Sequence, residues 1–182
     1  MSLRRYVIIF LSVIGVCALT PGAWAQEATV MLNASRDDEP LMRSTAAFAL
    51  GALGSEPSLE RLRQMLVDAN PNVRFNAATM LASQGSIAAE PVLLEMLDVK
   101  STAGLEIEDE KELREQKRET ILTSALRAVK KLAVANPSAD LGKLREAVVA
   151  VSASQLGPRI QSEALDALKV LDQRSPQTAV SK

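Results

Sequence analysis

Residues 37–66 recur, 31 positions later, as residues 68–97. Asp37, Pro40, Arg43, Ala46, Ala47, Leu50, Gly54, Ser55, Leu62, Met65 and Leu66 return as Asp68, Pro71, Arg74, Ala77, Ala78, Leu81, Gly85, Ser86, Leu93, Met96 and Leu97. Ordinary residue frequencies would give roughly two identities in such a frame. A fixed period of this length marks a stacked array, in which a unit buries its apolar face only against its neighbours. This constrains the fold more tightly than any other feature of the chain.

Each unit parses as two helices. Asn70-Pro71 is a strong helix start, because Asn accepts from the exposed first-turn N–H groups and Pro sits where no donor is needed. Glu39-Pro40 is a poorer version of the same start. Met42, Ala46, Leu50 and Leu53 follow at helical spacing, as do Val73, Ala77, Met80 and Leu81. Gly54 and Gly85 suit the left-handed position that ends a helix. A second helix runs through Leu59, Leu62, Met65 and Leu66, and again through Leu93, Met96 and Leu97. The paired alanines let first helices approach closely, where larger side chains would push them apart.

The period then breaks. Ile121, Ala125, Leu126 and Val129 read against Val73, Ala77, Ala78 and Leu81, which is a step of 48 residues rather than 31. The charged segment 100–118 accounts for the excess. Its spacing predicts a loop at 101–104 and a polar helix with Glu110–Arg114 and Glu115–Arg118 pairs. A second helix of the third unit uses Leu141, Leu144, Val148 and Val151, with Asp140 as its cap. A fourth first helix fits Ile160, Ala164, Leu165 and Leu168 after Pro158. Leu122 and Gln161 stand where the first two units have arginine. The units span 37–67, 68–99, 118–152 and 157–172. Residues 27–35 are expected to form a short capping helix, and residues 175–182 a frayed tail.

The pattern Asp-x-x-Pro-x-(Met/Val)-Arg-x-x-Ala-Ala-x-x-Leu-x-x-x-Gly resembles the HEAT repeat, in the short form also found in phycobilin lyase-like proteins. The resemblance rests on Asp37, Pro40, Met42, Arg43, Ala46, Ala47, Leu50 and Gly54 and their partners 31 residues on. It implies an all-α fold, a right-handed α-solenoid of antiparallel helix pairs with about three to four units. In such families the second helices are where partners often dock.

The amino-terminus reads as an export signal. Arg4 and Arg5 precede an apolar run from Tyr6 to Leu19, and Ala23-Trp24-Ala25 offers a small-x-small cleavage site before Gln26. The run is short of the roughly 20 residues needed to cross a bilayer. Cleavage between Ala25 and Gln26 is expected, leaving 26–174 as the repeat domain; retention as an anchor stays open. The expected location is periplasmic or secreted.

Loss of residues 1–25 removes Tyr6, Cys17 and Trp24, the single Tyr, Cys and Trp of a chain that has no His. The mature chain would be without disulfides, Cys or His nucleophile systems, Cys/His zinc sites and Trp or Tyr stacking platforms. Removing Arg4 and Arg5 from 21 basic residues leaves 19 against 22 acidic ones, a net charge of −3. That supplies no bulk field for nucleic acid or anionic lipid.

Candidate residues fall in two groups. Asp37, Arg43, Asp68 and Arg74 belong to the repeat itself, and the arginines are expected to tie the turns between units, with Asp37 and Asp68 as acceptors. On the second helices, alignment of Leu62, Leu93 and Leu144 places Arg61, Val92 and Lys143 in one solvent row and Gln64, Glu95 and Glu146 in the next. This mixed surface is the candidate partner-binding face. No catalytic, cofactor or metal residues stand out. The expected function is an exported protein–protein interaction or scaffold module whose partner is another protein. Nucleic acid and membrane insertion after cleavage are not expected. A lyase- or isomerase-like activity, implied by the phycobilin lyase-like resemblance, and a structural subunit of an envelope assembly are the alternatives.

Overall fold

The computed structural model describes residues 21–105, 110–154 and 156–173, with side chains from residue 27 onward. The expected signal run as far as residue 20 and the tail 175–182 lie outside these residues. So do Glu106, Glu108 and Asp109 of the insertion.

All regular structure among the described residues is helical. Helix α1 spans Pro21–Ala34, α2 Pro40–Leu53, α3 Glu56–Met65 and α4 Pro71–Ser83. A 3₁₀ turn at Ile87–Ala89 leads into α5, Glu90–Leu97. Then come α6, Lys111–Ala135, α7, Gly142–Ser152, and α8, Pro158–Asp172. Helix α1 starts upstream of the expected residue 27, because Pro21 provides a first helical position. The expected cleavage point between Ala25 and Gln26 therefore falls within it.

The first helices α2, α4, α6 and α8 pack side by side in one layer. Helices α3, α5 and α7 lie behind them, α5 against α7, while α1 packs on α2 and α3. This is an α-solenoid of HEAT-like helix pairs.

Local chemistry sets the helix ends. The Asn70 side chain accepts from the Asn72 N–H at 3.0 Å, whereas Glu39 makes no such cap bond. Gly54 and Gly85 adopt φ of 61° and 76° and stop α2 and the α4 turn. Asp140 accepts from the Gly142 N–H at 2.9 Å and so opens α7.

Small residues set the spacing of the first-helix layer. Ala46, Ala47, Ala77 and Ala78 are all buried. A Cβ added to Gly51 of α2 would lie 2.4 Å from the Met80 Cβ of α4, so the two backbones meet more closely than any larger residue permits. Polar bonds pin the same contact: Asn76 Nδ2 donates to Ser44 Oγ at 2.8 Å, and Gln84 Nε2 to the Gly51 carbonyl at 3.0 Å. Leu50, Leu81, Leu126, Val129 and Leu132 fill the core between the layers. Each buried leucine contributes about 1.5–3 kcal/mol.

One face of each first helix waits for the next. Ala47, Ala78 and Leu126 hold equivalent places and are fully buried. Leu165, the fourth of the series, is 53% exposed. The sequence pattern put Leu165 and Leu168 on the buried face of α8. Ile160 and Ala164 of the expected set are buried, with Ala167 and Leu171, and Leu168 is partly buried against the core, so Leu165 alone departs from the pattern. No first helix follows α8 among the described residues, so its forward face meets no neighbour.

Equivalent positions should thus respond differently to truncation. Leu126→Ala is expected to lower the unfolding free energy by about 2–5 kcal/mol. Leu165→Ala should change it by about 0.5 kcal/mol or less. Urea unfolding followed by circular dichroism compares the two; equal losses would contradict the stacking order.

Candidate functional site

The turn that joins one unit to the next exposes backbone carbonyls that need donors. In the first two units an arginine supplies them. Arg43 Nη1 donates to the Asp37 carbonyl at 3.1 Å and to the Asp38 carbonyl at 2.9 Å. Arg74 Nη1 donates to the Asp68 carbonyl at 2.8 Å and to the Ala69 carbonyl at 3.1 Å.

The other side of each guanidinium meets a carboxylate, and here the units differ. Arg43 grips Asp68 in a bidentate pair, Nε to Oδ2 and Nη2 to Oδ1, both at 2.8 Å. Arg74 grips Glu95 of α5. The position equivalent to Asp68 in the next unit is Val99, which has no carboxylate, so Glu95 serves in its place. Asp37 and Asp68 were the expected acceptors; Asp37 contributes only its backbone, and Asp68 only its backbone toward Arg74. The Arg43 hydrogen bonds hold the Asp68 carboxyl below its ordinary pKa against the opposing effect of burial, and the Asn70 N–H adds to the lowering.

The third and fourth units lack the arginine in the alignment but not the contact. Arg118, one helical turn before Leu122, donates from Nη1 to the Val99 carbonyl at 2.7 Å. Asp37, Asp68 and Val99 are 31 residues apart, so all three guanidinium groups hold the same place in the turn. Gln161 Nε2 donates to the Ser154 carbonyl at 3.2 Å in the fourth. The expected Glu115–Arg118 pair is not formed, because Arg118 turns back to Val99; Lys111 instead lies 3.7 Å from Glu115. Between α6 and α8, Glu163 meets Lys130 at 2.8 Å and Arg127 at 3.1 Å. Lys130 first, then Arg127, hold the Glu163 carboxyl below its usual range despite burial.

The candidate partner-binding row divides on inspection. Gln64, Lys143 and Glu146 are exposed. Arg61 is half-buried and bonds Ser35 and Gln64. Glu95 is half-buried and taken by Arg74. Val92 is not on the surface: it is 6% exposed and belongs to the core. Helix α5 packs against α4, α6 and α7, which leaves little of its circumference free, and an apolar side chain faces inward. A further row escaped the sequence reading. Val67 and Val149, three residues beyond Gln64 and Glu146, are both exposed, with Asp98 between them in register.

No group of three or more metal-binding side chains converges among the described residues. A cavity of about 10 Å³ beneath Arg118, lined by Phe75, Glu95, Met96, Ile121 and Leu122 among others, has room for a water molecule rather than an organic cofactor. No helix among the described residues is long and apolar enough to cross a membrane.

Compared with known protein families, residues 28–106 match the model of HEAT repeats. The match runs from α1 through α5, so it takes in the two clear units and stops at the insertion. No curated protein matches the chain.

Two consequences follow from the clamp. Asp68→Asn removes a carboxylate from a mostly buried guanidinium and is expected to cost about 1.5–3 kcal/mol near neutral pH. A carboxyl whose folded pKa lies below its unfolded value of about 3.9 stabilises the fold above that value, and the benefit is lost as pH falls through the folded pKa. The gap between the native protein and Asp68→Asn should therefore close in acid; urea unfolding at neutral pH and at about pH 3 measures it. Arg118→Ala should speed amide hydrogen exchange at 98–105 by about tenfold, the loss of one charge-assisted bond, and leave α2 unchanged.

Proposed function

With residues 28–106 belonging to the HEAT repeat family, we propose that this chain is an exported protein-interaction or scaffold module without catalysis of its own. HEAT repeats supply the interaction role. The export reading is supported by Arg4-Arg5, the apolar run Tyr6–Leu19 and the small-x-small site at Ala23–Ala25. The non-catalytic reading is supported by the absence of His from the chain and by the position of its single Cys, Cys17, within the signal.

The observation that carries the interaction reading is the division of labour among side chains. Residues that recur with the period, such as Arg43, Arg74 and the paired alanines, are consumed in stacking. The exposed second-helix positions change from unit to unit: Gln64 and Val67, then Asp98, then Lys143, Glu146 and Val149. A surface whose residues differ while its scaffold repeats is suited to one extended partner. Large aromatic anchors are absent from these rows, so the interface is polar and modest.

Photo-crosslinking in the host cell tests this. A crosslinker at Gln64 or Glu146 is expected to capture one and the same protein. A crosslinker at Thr120 or Arg159, exposed on the first-helix layer, should not capture it. Equal capture from both layers, or none from either, would refute the second-helix surface as the binding face. Mass measurement on the exported fraction should show loss of residues 1–25.

A further inference from the structure

The side chain of Arg61, like those of Arg36 and Arg118, bonds neutral acceptors rather than a carboxylate among the described residues. Arg43, Arg63, Arg74, Arg127 and Arg145 each meet a carboxylate. Arg61 donates from Nε to Ser35 Oγ at 2.8 Å, from Nη2 to the Ser35 carbonyl at 2.7 Å, and from Nη1 to Gln64 Oε1 at 3.1 Å. All three acceptors are neutral. A guanidinium has five N–H groups, so one on each terminal nitrogen remains.

The nearby acid does not answer this charge. Both oxygens of Asp68 are held by Arg43, and Oδ1 also accepts from the Asn70 N–H. The neighbouring charge that counts is of the same sign. Arg36 at the end of α1 is exposed and bonds only the Leu32 carbonyl. Burial first, then repulsion from Arg36, lower the Arg61 pKa; Asp68 opposes this and Arg43 adds to it. A half-buried cation whose own bonds all go to neutral acceptors, with a second cation beside it and only a committed acid nearby, is one that an incoming carboxylate stabilises.

Gln64, exposed, lies one turn further along α3, and Val67, just past the end of that helix, is 85% exposed. In the equivalent places of the third unit the chain has Lys143, Glu146 and Val149, where an acid accompanies the base. The positive excess is thus confined to the first unit.

We infer that Arg36, Arg61 and Gln64, with the exposed Val67 just past the end of α3, seat an acidic segment of the partner protein, in which an Asp or Glu carboxylate is followed along the segment by an aliphatic side chain. The carboxylate takes the free N–H groups of Arg61 and faces Arg36; the aliphatic group covers Val67. This rests on the interaction reading above and names the partner's chemistry at one end of that surface.

Fluorescence anisotropy with the purified protein tests it. The probes are labelled short peptides carrying Asp-Asp or Glu-Glu beside Val or Leu, and the same peptides with Asn or Gln. The acidic peptides are expected to bind at least about tenfold more tightly than the amides, the effect of one charge-assisted bond. Arg61→Gln should abolish that difference. Arg36→Gln, which disturbs no contact between helices, should reduce it several-fold, and Lys143→Gln should leave it unchanged. Added salt should weaken the acidic peptides only. Equal binding of acidic and amide peptides, or an unaltered preference in Arg36→Gln and Arg61→Gln, overturns the inference. So does inorganic phosphate competing as well as an acidic peptide, which would mark a general anion site. Crosslinks from Gln64 and Glu146 without acidic preference would sink this inference alone; their absence would sink the reading beneath it.

Discussion

The structure depends on satisfying the carbonyls of the turn between units. A two-helix unit cannot hide its apolar face alone, so the angle at which the next unit arrives decides whether a core forms. That angle is fixed where Arg43 reaches Asp37, Arg74 reaches Asp68 and Arg118 reaches Val99. The first three acceptors keep strict 31-residue register, while the third donor does not. Arg118 comes from one helical turn earlier than the alignment would place it, and Gln161 does the work at the fourth turn without a charge. The chain thus keeps a backbone requirement and varies the side chain that meets it.

The same point explains how the insertion is tolerated. Some 17 extra residues between the second and third units would be expected to disturb stacking if register were carried by chain length. It is carried by contacts instead. Helix α6 still packs on α4 and α5, Leu122 and Leu126 are buried, and Arg118 closes the loop back onto Val99. Loop length costs little once its ends are held, since closure entropy grows only with the logarithm of length.

Sequence periodicity made the helices, their proline starts and their glycine stops legible, because each depends on a residue at a fixed local offset. It made the recurring arginines visible but not their carboxylates. Asp68 and Glu95 come from different elements, and no local spacing links Arg74 to Glu95. Val92 was assigned to solvent by register alone. Its burial follows from how many helices surround α5, a tertiary fact. Leu165 departs in the opposite direction: its spacing is that of a core residue, yet a core residue needs a neighbour, and no helix lies ahead of α8 among the described residues. Apolar spacing reports which face a helix offers, and only the array's length decides whether that face is covered.

Period and function therefore occupy different residues. An arginine that recurs is spoken for, because the turn it serves recurs with it. Arg61 does not recur: the next unit has Val92 there, which is buried, and the third has Lys143, accompanied by Glu146. Here the cation ties α3 to the end of α1 through neutral Ser35, a bond that the buried Val92 cannot make in the next unit. Ser35 can take only the neutral part of its bonding, and Asp68 is already committed to Arg43. A charge kept half-buried without an internal counter-ion destabilises the free protein relative to an apolar residue in the same place. In a chain whose net charge is −1, a local positive excess of this kind also runs against the overall balance. An acidic group arriving from outside would offset that cost, which is why the proposed acidic partner segment is placed there rather than at the repeated clamp.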